Sequence, residues 1–386
     1  MFLPQKPLLL ATLLLCLLSA KAGAEELPAS YLPLPVPGPE TEQMLAMISA
    51  EREPVTEDVI NIHFHSLPKA EFAGFIIALE KGFYSEAGLP SVNLQWPDSP
   101  DNPYAFSLNA RTPFCVKSLS LTIEPDTEHD VIRIAQLFQR SDLAIIARAD
   151  SGIEELSDLK NKIFQSSDGD ALINLNMFLA EMNITPRGVY PLGQNPTPLL
   201  NGLVDACIMD YFDQYNTLLQ RAVRPEELRI FRLYEYGLGL PSLGINTLPL
   251  YWQNNERTCQ AVVEATLKGY YYAFTHQEET LDRVMAYMER HKTLTNRSHQ
   301  AWMLEQIYQA FTYRVGPDPR QWGYLSEDDY ARAADYLLGT NAKNRPPINA
   351  FFRPPPRFWD ETAEGKILPG GSGGPDSMNE GAGFEN

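Results

Sequence analysis

Apolar and polar residues alternate over 59–65 (VINIHFH), the two-residue period of a strand with one buried face. At 71–81 the pattern changes to the three-and-four spacing of a helix that Gly82 closes. Short apolar runs at 92–95, 114–116, 132–138, 143–148, 162–165, 204–209 and 228–232 read as further strands, and 170–182 and 213–222 as helices. Strand and helix in alternation define an α/β fold with mainly parallel sheets. Beyond Asn254 the pattern is helical only. Cys259, Val262, Val263, Thr266, Leu267, Tyr270, Tyr271 and Phe274 form one stripe; Trp302, Ile307, Tyr308 and Phe311 form a second; Tyr330, Ala334 and Leu337 form a third.

The two ends follow neither pattern. Lys6 precedes the apolar run LLLATLLLCLL at 8–18, and Ala22-Gly23-Ala24 follows, so residues 1–24 read as a cleaved secretory signal peptide. The run is too short for a membrane span of about 20 residues. The mature protein is therefore expected outside the cytoplasm, in the periplasm. Residues 25–58 form a proline-rich extension with a short helix expected near 40–52, and 341–386 a Pro/Gly-rich tail expected to be disordered, although the aromatics of PPINAFFRPPPRFWD could pack on the body.

Charge narrows the partners. The 386 residues carry 31 Lys and Arg against 49 Asp and Glu, a net charge of −18; removing the leader takes two lysines and no acids, which leaves −20. Such an excess argues against phosphate backbones and anionic lipid surfaces as partners. With 44% apolar residues the chain has ample material for a folded body. Cys115, Cys207 and Cys259 remain after the leader, so at most one pair can bridge, and buried free thiols are expected.

The short motifs with the clearest chemistry are missing: no G-x-S-x-G, H-E-x-x-H, C-x-x-C or Walker A loop occurs. His63 and His65 face the same way on a strand, but no third ligand lies near them in sequence, so no metal and no cofactor are expected.

Two blocks carry a family signature. EFAGFIIALEKGFYSEAGL at 71–89 and IAQLFQRSDLAIIARADSGIEELSDLKNK at 134–162 are similar to the THI5/NMT1-like solute-binding proteins, relatives of the sulfonate-binding components of ABC importers. LLNGLVDACIMDY, YEYGLGLPSLGINT and ATLKGYYYAFTHQEETLD follow in the family's order, so the likeness covers about 59–315. The resemblance implies a two-lobed periplasmic-binding-protein fold of type II with two hinge crossings and C-terminal helices. The crossings would fall at 143–151 and 234–245, with lobe 1 made of 59–148 plus 246–340 and lobe 2 of 152–233. It also implies a non-enzymatic protein, a monomer, that captures a small solute and delivers it to a membrane permease. A periplasmic sensor docking on a membrane receptor is the alternative.

In open α/β sheets the strand C-termini and helix N-termini face the ligand. In the implied lobe 1 these places hold His65, Phe72, Gly74, Lys117, Ser118 and Gln139; in lobe 2 they hold Asp168, Asp170, Asp210 and Tyr211; Tyr234 and Tyr236 lie on the second crossing. Phe72 also reads as core, Asp168 as a helix cap, and the tyrosines as hinge packing or as platforms for a flat ring. Sulfonate binders receive their anion at a helix N-terminus in the region of QSSDGD, 165–170, where this chain places two aspartates. A neutral or cationic heteroaromatic solute, such as an aminopyrimidine thiamine precursor, suits that loop better than a sulfonate. Pyrimidine synthases of the family hold pyridoxal phosphate on a lysine with a histidine four residues on; here Lys117 is followed by Leu121, and the family's cysteine run is missing, which disfavours that chemistry.

Overall fold

The computed structural model describes residues 59–97, 108–109, 111–123, 131–167, 169–293, 295–341 and 343–355, with a few isolated positions between 34 and 45. The leader, nearly all of the proline-rich extension and its expected helix, Asp168, and the tail beyond 355 lie outside the described residues.

Among the described residues, ten strands form two five-stranded sheets. The first has the order β2-β1-β3-β10-β4, from β1 (Ile60–Phe64), β2 (Val92–Gln95), β3 (Phe114–Ser118), β4 (Ile132–Gln136) and β10 (Leu243–Thr247). The second has the order β7-β6-β8-β5-β9, from β5 (Leu143–Arg148), β6 (Ile163–Ser166), β7 (Gly188–Pro191), β8 (Ala206–Asp210) and β9 (Leu228–Arg232). Each sheet thus has one strand that arrives from the other lobe, and that strand runs antiparallel to both neighbours. The run LAIIAR reads as continuously apolar because β5 is buried on both faces. Leu143, Ile145 and Ala147 join one core cluster, and Ala144 and Ile146 the cluster on the other side of the sheet.

This pairing moves the lobe boundaries. Residues 143–148, expected at the end of lobe 1 and the start of a crossing, are the fourth strand of the second sheet, so the first crossing is 137–142. The second crossing is 233–242, because 243–247 already pairs with β3 and β4. An apolar strand and an apolar crossing look alike in sequence, and only the partner distinguishes them. Strand β7 had no clear signal. The ordered body also runs further than expected: Phe352 is buried and bridges to Arg133, and Phe351 stacks on Tyr330 at 5.3 Å, so 343–355 packs on the body.

The principal helices are α1 (Ala73–Glu80), α2 (Leu119–Ile123), α3 (Asp170–Glu181), α4 (Asn216–Gln220), α5 (Glu256–Thr275), α6 (Gln277–Arg290), α7 (Arg297–Thr312) and α8 (Glu327–Leu337). Helix α5 is the central support of lobe 1, buried along nearly its whole length, including all of the predicted stripe except Tyr271. It crosses α1 so closely that a Cβ on Gly269 would lie 2.0 Å from the Gly74 carbonyl oxygen, and a Cβ on Gly74 would lie 2.1 Å from the Tyr270 ring. The Tyr270 hydroxyl donates to the Glu71 carbonyl at 2.8 Å across the same junction. Lys81 reaches Tyr272 and Glu279, and Tyr84 pairs with Thr266, so the block at 71–89 is largely a docking surface for α5 and α6. Cys115, Cys207 and Cys259 are buried and form no disulfide among the described residues.

Candidate ligand-binding site between the lobes

The C-terminal ends of the strands meet between the two lobes, as the topology requires. After β1 the chain turns through His65 and Lys69 into a 3-10 turn, Ala70–Phe72; after β3 it enters α2 through Ser118 and Ser120. From lobe 2 come Asp142 just ahead of β5, Asp170 in the first turn of α3, and Asp210 at the end of β8, followed by a π-helical turn, Tyr211–Tyr215, that carries Asp213.

Several contacts cross between the lobes. Lys69 Nζ lies 2.8 Å from Asp213 Oδ2 and 2.9 Å from Glu71 Oε2, joining lobe 2 to lobe 1. Ser120 Oγ donates to Asp170 Oδ1, while Ser118 and Ser120 share a hydrogen bond at 3.0 Å and Asn174 Nδ2 donates to the same Asp170 oxygen at 2.8 Å. Helix α7 touches both lobes with adjacent residues: Gln300 Oε1 accepts from Ala70 N–H at 2.6 Å, and His299 Nε2 donates to the Phe212 carbonyl at 3.1 Å.

Five carboxylates, of Glu71, Asp142, Asp170, Asp210 and Asp213, therefore converge around Lys69 and His65. Electrostatics follow from that crowding. Burial, and then Glu71, push Asp142 up to about 7. Burial, and then Asp142, hold Asp210 well above the ordinary carboxyl range. Burial also raises Asp170, against the hydrogen bonds from Ser120 and Ser118. Asp213 is lowered, because Lys69 outweighs its burial. Burial pulls Lys69 down, but Asp213, Glu71 and Asp210 hold its ammonium well above the usual value. His65, with Nδ1 3.2 Å from the Val116 carbonyl, is lowered by burial.

A raised carboxyl favours its neutral form in the fold, so its contribution to stability is complete below about pH 4 and is lost as pH rises through its folded value, near 7 for Asp142. His65 acts oppositely, losing its contribution as pH falls below about 6.5, and Asp213 only below about 4. Three raised acids outweigh one histidine. The solute-free protein is expected to melt a few degrees higher at pH 5 than at pH 8, and Asp142→Asn to flatten part of that slope; a melting temperature that climbs from pH 5 to pH 8 in scanning calorimetry contradicts the assignment.

The structure places His65, Ser118, Asp170 and Asp210 in this cluster. Phe72 is fully buried and packs edge-on against Phe64 and His65, and Gly74 serves the α1–α5 crossing. Lys117 alternates with Ser118 along β3 and so points to the other face of the sheet. The tyrosines are not open platforms: Tyr211 stacks on Tyr215 at 4.9 Å and carries the Arg232 guanidinium at 4.1 Å, Tyr234 carries Arg140 at 3.6 Å, and Tyr236 is 44% exposed. Gln139 is tied to the C-terminal segment, donating to the Tyr324 carbonyl at 3.0 Å. Asp168 lies outside the described residues. Sequence reasoning missed Lys69, Glu71, Asp142, Asp213 and His299. The first four flank strand ends and were within reach of that rule; His299 lies on a distant helix and had no local signal.

The fold is that of the two-lobed periplasmic binding proteins. The family model "NMT1/THI5 like" matches residues 69–280, and the chain belongs to that family. The ligand-binding component of an ABC-type import system from Staphylococcus aureus, solved with zinc bound, superposes with a TM-score of 0.55 at 14% identity, over 80% of this chain and 99% of that one. The alkanesulfonate-binding protein SsuA from Xanthomonas axonopodis pv. citri, bound to MOPS, gives 0.55 at 12% identity over 79% and 100%. The desulfurization enzyme DSZB gives 0.50 at 14% identity over 78% and 98%, so this architecture also hosts catalysis. No match is found among proteins of curated function. No helix among the described residues is long and apolar enough to cross a membrane.

Proposed function

We propose that this chain is an exported, non-enzymatic solute-binding component of an ABC importer, which closes its lobes on a small solute rich in hydrogen-bond donors or positively charged, and delivers it to a membrane permease. An aminopyrimidine of the thiamine-precursor kind is the ligand class. The observation that carries this reading is the convergence of Glu71, Asp142, Asp170, Asp210 and Asp213 between the lobes around Lys69. Desolvated carboxylates that crowd one another gain when a donor or cation enters among them, and an entering sulfonate would add to the repulsion. The first turn of α3, an anion seat by its dipole, already holds Asp170.

Calorimetric titration tests the reading. An aminopyrimidine is expected to bind saturably, and taurine to give no heat. Asp170→Asn is expected to weaken the aminopyrimidine by at least about tenfold, the worth of one hydrogen bond to a charged group. Tight binding of taurine with none of the aminopyrimidine overturns the assignment.

A further inference from the structure

Behind the crossings lies a narrow crevice, open to solvent, between the end of α7 and helix α8. Its polar lining is Gln139 and Arg140 from the first crossing, Tyr234 from the second, Tyr313 and Arg314 after α7, and Asp329 and Arg332 from α8. None of the five carboxylates between the lobes lines it. We propose that this crevice binds a small oxyanion, phosphate-like in charge and geometry, with Arg140 as its principal contact.

Arg140 is the reason. It is only 6% exposed, and its Nη1 has no hydrogen-bond partner among the described residues. Its guanidinium lies 3.6 Å over the Tyr234 ring and 5.8 Å from that of Tyr313, so the aromatics fix its plane without satisfying its donors. A buried N–H left unpaired is costly, and a planar guanidinium matches an oxyanion edge. Two more guanidinium groups face the crevice. Arg332 donates to the Gly237 and Gly239 carbonyls at 2.6 and 2.7 Å, while Arg314 is 58% exposed at the mouth and lies 5.0 Å from the Tyr313 ring centroid. The one acid, Asp329, lies 3.6 Å from both Arg314 and Arg332 and accepts from Ser326 Oγ at 2.8 Å, so its charge is already offset. Three guanidinium groups against one carboxylate leave an excess of positive charge in a chain that is otherwise strongly acidic.

An anion here would join Arg140 to the crossing that Arg332 holds, so it would bear on the hinge and couple reciprocally to the solute between the lobes. The site does not depend on which solute that is.

The test is titration of the full chain with inorganic phosphate at constant ionic strength, chloride being the balancing ion, with acetate as a parallel arm. Saturable one-to-one binding is expected, with Kd of about 1 mM or tighter, and Arg140→Gln is expected to abolish it while circular dichroism stays unchanged. Should Arg140→Gln not fold, Arg314→Ala at the exposed mouth is expected to weaken phosphate several-fold. Acetate binding in place of phosphate, absence of saturable binding, or a melting temperature that rises with phosphate equally in parent and variants, the general effect of an excluded salt, each overturns the proposal.

Discussion

Replacing Lys69 with methionine is expected to cost about 3 kcal/mol of stability at pH 8, because removing one partner of a nearly buried ion pair leaves the other charges uncompensated. Lys69 is 12% exposed and touches both Glu71 and Asp213, with Asp142 and Asp210 behind them. Methionine keeps the aliphatic stem, so the loss reports charge rather than packing. The loss should also depend on pH. At pH 5 the neighbouring acids take up protons readily, and much of the deficit should disappear. Urea unfolding at both pH values measures it, and small-angle scattering at pH 8 should show the variant expanded as the lobes separate. An equal deficit at pH 5 and pH 8 would mean that Lys69 is not the compensating charge.

The second large effect has the opposite sign to the one helix propensity gives. Alanine is favoured over glycine in a helix interior by about 1 kcal/mol, yet Gly269→Ala is expected to destabilise, and Gly269→Val by about 3 kcal/mol. The added Cβ would meet the Gly74 carbonyl at 2.0 Å, and a backbone atom on α1 cannot step aside as a side chain does. The first carbon of the substituent carries most of the effect. Guanidinium unfolding decides it, and a Gly269→Ala variant more stable than the parent would show that the helices are not in that contact.

Periodicity made the architecture readable because each lobe repeats one plan, strand then helix, with apolar residues at spacings that the two periods separate cleanly. It found the strand at 143–148 but not its sheet, and it missed the strand at 243–247, since a strand buried on both faces has no alternation and its sheet depends on a partner some sixty residues or more away. The site was legible where it follows from strand ends: His65, Ser118, Asp170 and Asp210. Phe72 and Gly74 sat at the same kind of position and proved to be packing, because the motif there serves the crossing of α1 with α5. The aromatic residues misled for a different reason. Sequence shows that tyrosines gather near the hinge but not that Arg140 and Arg232 already lie over their rings.

Helix α7 bears on how such a molecule could work. Gln300 holds the backbone of lobe 1 at Ala70, and its neighbour His299 holds the backbone of lobe 2 at Phe212. Successive residues of one stiff rod gripping opposite jaws act as a rivet placed beside the joint. Any swing must first release one grip and expose a buried amide or carbonyl to water. Opening about the crossings would therefore be a discrete step with its own barrier.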